Sequence, residues 1–249
     1  SAITTVSEDL FKNCSKVTTF KKTFASSGLT VIPEKLFAGC SSVINFEKTF
    51  EHCKSVNKIP SSLFANNINV TSFKGTFGNT SVESIPEELF ESCTEVESLG
   101  GSTYWDGTFY GCKELKHIPE GLFKNNHKVI SFAGLFYGCT NLTDVPEKLF
   151  ANCPDVDSFR ETFFQCGLTS IPSGLFDGNR KVTNFESVFS YCGKIEGSES
   201  PYTEIDGVKY HLYERKNNTE QFITPTSFND AFWYCSKLSD YADIPSDWK

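Results

Sequence analysis

The sequence predicts an α/β fold: a right-handed solenoid of short parallel strands and short helices with a 26–27-residue period. Two alternating motifs carry that expectation. One reads L-x-x-I-P-x-x-L-F-x-x-C/N, as in Leu115, Ile118, Pro119, Leu122, Phe123 and Asn126. The other reads V-x-x-F-x-x-T-F-x-x-C, as in Val43, Phe46, Thr49, Phe50 and Cys53. Prolines 33, 60, 86, 119, 146 and 172 lie 27, 26, 33, 27 and 26 residues apart, so the unit is a pair of motifs with one long exception. A fixed period of this length marks a stacked array in which each unit buries its apolar face against its neighbours. Of the 24 Phe residues, all but Phe164 and Phe222 occupy the motifs' Phe positions, so the aromatic content forms a core spine.

Each element follows from spacing. Phe46, Thr49, Phe50 and Cys53 stand at i, i+3, i+4 and i+7, which predicts two turns of helix with one buried face. In the proline motif, Pro suits the first helical position and Glu34, Glu87, Glu120 and Glu147 suit the positive helix N-terminus. Gly39, Asn66 and Gly178 supply stops. The three or four residues left between helices, V-x-x-F or L-x-x-I, suffice for very short strands, and such connections are right-handed in nearly all parallel sheets. Crossovers this short also leave room for 3₁₀ turns in place of some helices.

The rhythm breaks twice. Residues 100–107 intrude before Thr108 and Phe109 resume the motif, and residues 196–225 delay the last copy. Within the second break, Asp206-Gly207 between Ile205 and Val208 has the signature of a two-residue β-hairpin turn. The expected organisation is a solenoid over residues 1–195 with a loop insertion at 100–107, an inserted β excursion over 196–225, and a last repeat with C-terminal cap over 226–249.

The ten cysteines close motif copies, yet Asn67, Asn126, Asn179 and Thr80 fill the same slot elsewhere. If the slot ends a helix, neighbouring copies lie roughly 8–10 Å apart, beyond disulfide reach. Ten reduced thiols are therefore expected. No C-x-x-C or C-x-x-H spacing suggests a metal, and no cofactor is expected. The formal charge of −8, with no basic run, removes the electrostatic attraction on which nucleic-acid binding depends. No apolar stretch long enough to span a membrane occurs, and the residues from Ser1 onward do not read as a charged-then-apolar leader.

The run F-x-x-T-F-x-x-C leading into L/V-x-x-I-P, as over residues 159–172, resembles the BspA-like leucine-rich repeats and is similar to the repeat of mycoplasma-type surface lipoproteins. The resemblance covers about residues 6–195 and 226–246. It implies a surface-exposed adhesion or ligand-binding protein of bacteria, some protozoa or gut-associated phages, with no catalytic residues to carry over. The chain departs from the family's shorter unit by making both halves helix-like.

The residues themselves show no nucleotide, hydrolase or zinc-protease motif, and His52, His117, His127 and His211 belong to none, so no enzyme is expected. Binding is the better reading, through an aromatic stripe: Tyr110, Tyr137, Phe164, Tyr191, Trp233 and Tyr234 follow the inward Phe of successive copies, with Tyr104 and Trp105 near its beginning. Such rows suit sugars or the apolar anchors of a protein partner. A second candidate surface is the polar column Thr19, Asn45, Ser72, Ser98, Ser131, Ser158 and Asn184. The expected function is a monomeric, non-enzymatic recognition module, on a cell surface or secreted, binding a protein or glycan of a host or neighbouring cell. The alternative is a structural virion component whose insertions contact the host.

Overall fold

The F-motif segments are runs of β-turns rather than helices. In residues 46–53 the amides of Thr49, Glu51 and Cys53 donate to carbonyls three residues back, while those of Phe46, Lys48, Phe50 and His52 donate to Ser72, Lys74, Thr76 and Gly78 of the next coil. The same alternation recurs along the stack, for example from Phe132, Gly134, Phe136 and Gly138 to Ser158, Arg160, Thr162 and Phe164. Lys48 and His52 have φ of 56° and 60° at the third position of their turns, as in type II. An α-helix would use every interior amide within its own coil. Here half of them bond the neighbouring coil instead. The computed structural model describes residues 3–249; Ser1 and Ala2, at the head of the expected solenoid segment, lie outside them. Among the described residues there is no α-helix, which corrects the helical reading of both motifs. Three 3₁₀ segments, Tyr104–Asp106, Leu212–Asn217 and Ser246–Trp248, and one hairpin are the remaining named elements.

The polar column is the register line of the stack. Thr19, Asn45, Ser72, Ser98, Ser131, Ser158, Asn184 and Ser227 pair in succession as isolated parallel bridges, one residue per coil. The proline-motif turns differ from the F-motif turns. Leu36, Ala38 and Cys40 bond only to Pro33, Lys35 and Phe37 of their own coil. Their coils are joined by side chains, as when the Asn67 amide donates to the carbonyls of Phe37 and Cys40.

This asymmetry sets curvature. Phe rings of successive F motifs stack at 5.6–5.9 Å along most of the array, as for Phe24–Phe50 and Phe189–Phe232. Those of the proline motifs stack at 6.1–6.2 Å, as for Phe37–Phe64 and Phe150–Phe176. The bonded F side is drawn tighter, so it lies on the inner side of the bend. Most proline-motif rings wedge between two F-motif rings, Phe37 sitting 4.7 Å from both Phe20 and Phe46. This interdigitation fills the core with tilted aromatic pairs, a favoured geometry.

Cysteine in the closing slot is a buried donor. The thiols of Cys53, Cys112, Cys139, Cys166, Cys192 and Cys235 reach the carbonyls of Phe24, Phe77, Phe109, Phe136, Phe163 and Phe189 one coil back, at 3.0–3.2 Å. The slot ends no helix, so the helix-packing distance does not apply to these thiols. Each is instead occupied by a carbonyl, and all ten cysteines are free. Burial raises the pKa of Cys139, Cys166 and Cys192 well above the ordinary thiol value.

In the second break, β1 (Tyr202–Ile205) and β2 (Val208–His211) form an antiparallel hairpin with Ile205 opposite Val208. Asp206 and Gly207 both have positive φ, 51° and 78°, the turn that Asp-Gly announces. The 3₁₀ segment after β2 carries Arg215 into the end of the proline-motif column. Its guanidinium donates to the carbonyls of Phe176 and Asn179 and to the Thr203 hydroxyl. The slot asparagines make the same two carbonyl contacts one coil back, so Arg215 completes the column as a further coil would. Burial lowers its pKa to about 9, which leaves it charged at neutral pH. Trp248 closes the F side, stacked 4.6 Å from Phe228 and accepting the Phe232 amide at its carbonyl.

Two outcomes check this packing. Phe136→Ala removes a fully buried ring between Phe109 and Phe163 and should cost roughly 3–5 kcal/mol in urea unfolding; a loss below about 1 kcal/mol would contradict the spine. Protein denatured without reductant should titrate with ten thiols, while the folded protein should react slowly with thiol reagents.

Candidate functional site

The aromatic stripe assembles into one row because coils stack in register. Tyr104 and Tyr137 stack at 4.5 Å, Tyr137 and Phe164 at 4.7 Å with planes 2° apart, and Tyr191 and Tyr234 at 4.9 Å. Phe164 meets Tyr191 at 5.2 Å but tilted by 53°, and Trp233 meets Tyr234 edge-on at 5.6 Å. The row shifts by one position there: Tyr137 and Phe164 directly follow an inward Phe, whereas Tyr191 and Tyr234 occupy the next, positive-φ position. Burial of Tyr137, with the neighbouring Glu161 and Tyr104, raises its hydroxyl pKa.

Tyr110 does not belong to the exposed row. It is 2% exposed, its ring covers Gly78, and its hydroxyl donates to Glu51 at 2.6 Å. A Cβ on Gly78 would fall 2.1 Å from that ring, so glycine there admits the Tyr. Burial and then Glu51 push the Tyr110 pKa upward. Glu51 also faces Lys48, which lies 3.7 Å from Asp106 of the first insertion. Trp105, 47% exposed, rests edge-on against Tyr110 at 5.6 Å. The insertion is thus clamped to the F side by an ion network and a buried Tyr. Glycine contacts complete the clamp: a Cβ on Gly107 would meet the Gly134 carbonyl at 1.8 Å. The fold therefore brings Tyr104, Trp105, Tyr137, Phe164, Tyr191, Trp233 and Tyr234 to the surface row and sets Tyr110 beneath it.

One chemical cluster was not legible in the sequence. Ser200 Oγ lies 3.0 Å from His211 Nδ1 and donates to Asp240, linking the second insertion to the C-terminal cap. The three residue types are those of a hydrolytic triad, but serine and aspartate address the same ring nitrogen, and Ser200 is fully buried. A triad needs them on opposite nitrogens with the serine open to substrate. The cluster is a latch. Among the described residues, no group of three His, Cys, Asp or Glu side chains converges on a metal position, and no helix is long and apolar enough to cross a membrane.

Arg215→Leu should destabilise the chain by roughly 3–5 kcal/mol in urea unfolding, since three buried acceptors lose their donor. A change under about 0.5 kcal/mol would show that the column needs no such closure.

Among solved structures, the chain is similar to a chain of the Drosophila Toll–Spätzle complex, at 19% identity over 95% of this chain and 33% of that one, with a TM-score of 0.44. A chain of the LRIM1/APL1C complex is 12% identical over 70% of this chain and 30% of its own, with a TM-score of 0.47. A leucine-rich repeat protein from Bacteroides ovatus is 17% identical over 95% and 63%, with a TM-score of 0.33. The chain therefore spans about a third of the first two. No curated protein matches it in sequence. The family model for a BspA type leucine-rich repeat region of six copies matches residues 4–183 and 104–239, and the chain accordingly belongs to the BspA-type leucine-rich repeat proteins.

Proposed function

We propose that this chain is a non-enzymatic recognition module that adheres to a protein on a host or neighbouring cell or its matrix, acting outside the cell. The observation that carries the reading is the surface row from Trp105 and Tyr104 to Tyr234 and Trp233 along the F side, in which Trp105, Tyr191, Trp233 and Tyr234 are exposed and Tyr104, Tyr137 and Phe164 half-buried. Its rings mostly face one another, so edges and hydroxyls point outward. Ring edges carry the positive end of the aromatic quadrupole and suit the carbonyl-rich surface of a protein. Tyr and Trp are also the side chains that most often dominate protein interfaces. The inner side of a curved solenoid is a natural seat for such a surface.

The test is saturable binding of the purified chain to mammalian cells and to immobilised matrix proteins such as fibronectin and collagen, alongside a Trp105→Ala, Tyr137→Ala, Tyr234→Ala variant of unchanged circular dichroism. Loss of at least about tenfold in affinity is expected for the variant. Equal binding by both proteins, or none by the intact chain, would overturn the proposal.

A further inference from the structure

We infer that the hollow beside Tyr191 is a binding site for a single acidic sugar ring, a pyranose bearing a carboxylate. This goes beyond protein recognition by the row: it shares Tyr191 with that row, and its other lining residues, Thr140, Gln165, Gly167, Gly193 and Lys194, lie outside it.

The hollow follows from a one-residue difference in the corners. After the closing slot, some F motifs take two steps to the next apolar residue, as from Ser27 to Leu29, Thr80 to Val82 and Cys166 to Leu168. Others take three, as from Cys53 to Val56 or Cys192 to Ile195. A short corner below a long one leaves a step in the side of the stack. At Thr80 the step is filled, since the Asn79 side chain lies against Gly111. At Cys166 it stays open: Thr140, Gln165, Gly167, Tyr191, Gly193 and Lys194 line a shallow, solvent-open hollow of about 210 Å³ above the buried Cys166. That lies below the roughly 300–1,000 Å³ of pockets for drug-sized ligands and suits one small ring.

The lining has the chemistry of a sugar site. Gln165 supplies an amide and Thr140 a hydroxyl, while Gly167 lets the Thr140 backbone pack closely against its coil. Tyr191 supplies the apolar wall. Its ring is parallel to Tyr234, but Phe164 meets it at 53°, so the row breaks its parallel stacking here and leaves Tyr191 without a parallel ring on that side. Tyr191 is 48% exposed at φ 61°, a conformation that a bulky residue rarely adopts. Equivalent positions hold Gly111, Gly138, Asn79, Ser26, His52, Gln165 and Tyr234.

Charge specifies the acid. In a chain of net charge −8, the hollow is lined by no carboxylate and by one lysine. The neighbouring Lys237 is paired with Glu196, while Lys194 has no ion pair among the described residues. The open step at Ser27 repeats the design with Lys54 and His52, but without an aromatic wall.

The experiment is ligand-observed NMR and calorimetry on the full chain with 3′-sialyllactose, lactose and inorganic phosphate. Saturable binding is expected for sialyllactose, weaker binding for lactose and none for phosphate. Lys194→Ala should lower sialyllactose affinity about three- to fivefold, the worth of an exposed ion pair, and leave lactose unchanged. Tyr191→Asn should weaken both sugars at least about tenfold while the melting temperature holds or rises, because Asn tolerates this backbone. The Trp105→Ala, Tyr137→Ala pair should keep sugar binding, so failure of the protein-binding row and failure of this site are separable. Absence of saturable sugar binding, phosphate binding as strong as sialyllactose, or Tyr191→Asn binding like the intact chain would each overturn the inference.

Discussion

The structure depends on one arrangement of backbone hydrogen bonds: along the F motifs up to the last copy, alternate amides bond within the coil and to the next coil. A residue of positive φ after each Phe turns the chain so that both sets are met. This brings coils close enough for Phe rings to stack, and it draws the F side tighter than the proline side. Curvature, the register of the polar column and the alignment of the aromatic row all follow from it. The proline motifs, joined by single backbone bonds at their L-x-x-I stretch and by side chains along their turns, are the compliant half of each coil.

Holding many non-glycine residues at positive φ is costly, on the order of 1–2 kcal/mol for a side chain in the left-handed region. Gly75, Gly111, Gly134 and Gly138 relieve it in the middle of the array, where the first insertion also needs room for its backbone. Towards the C-terminus the positions pass to Glu161, Gln165, Ser187, Tyr191, Asp230 and Tyr234. The end of the array that bears the more strained turns also bears the most exposed rings, Tyr234 being 60% exposed.

Much of this was written in the sequence. The period, the Phe spine, the polar column and the Asp206-Gly207 hairpin are direct consequences of spacing and residue type. The helical expectation fails for a physical reason. Phe46, Thr49, Phe50 and Cys53 share one face in an α-helix, and they also share one face in successive four-residue turns. Composition separates the two only where glycine or asparagine marks the positive-φ position; Lys48 and His52 give no such signal. Tyr110 leaves the exposed row because its burial depends on Gly78 of one other coil and Glu51 of another. Arg215 closing the proline-motif column, and the Ser200 latch, join residues whose neighbours are fixed only by the fold. The alternation of 26 and 27 residues was visible throughout, but its meaning, a step in the wall of the stack, required the corners to be placed.

Amide hydrogen exchange followed by mass spectrometry tests the hydrogen-bond arrangement most directly. Peptides from F motifs such as residues 43–53 and 129–139 should exchange more slowly than those from proline motifs such as residues 33–40 and 146–153, because only the former must pull neighbouring coils away from each other to open. Equal protection in both halves, or faster exchange in the F motifs, would contradict the account.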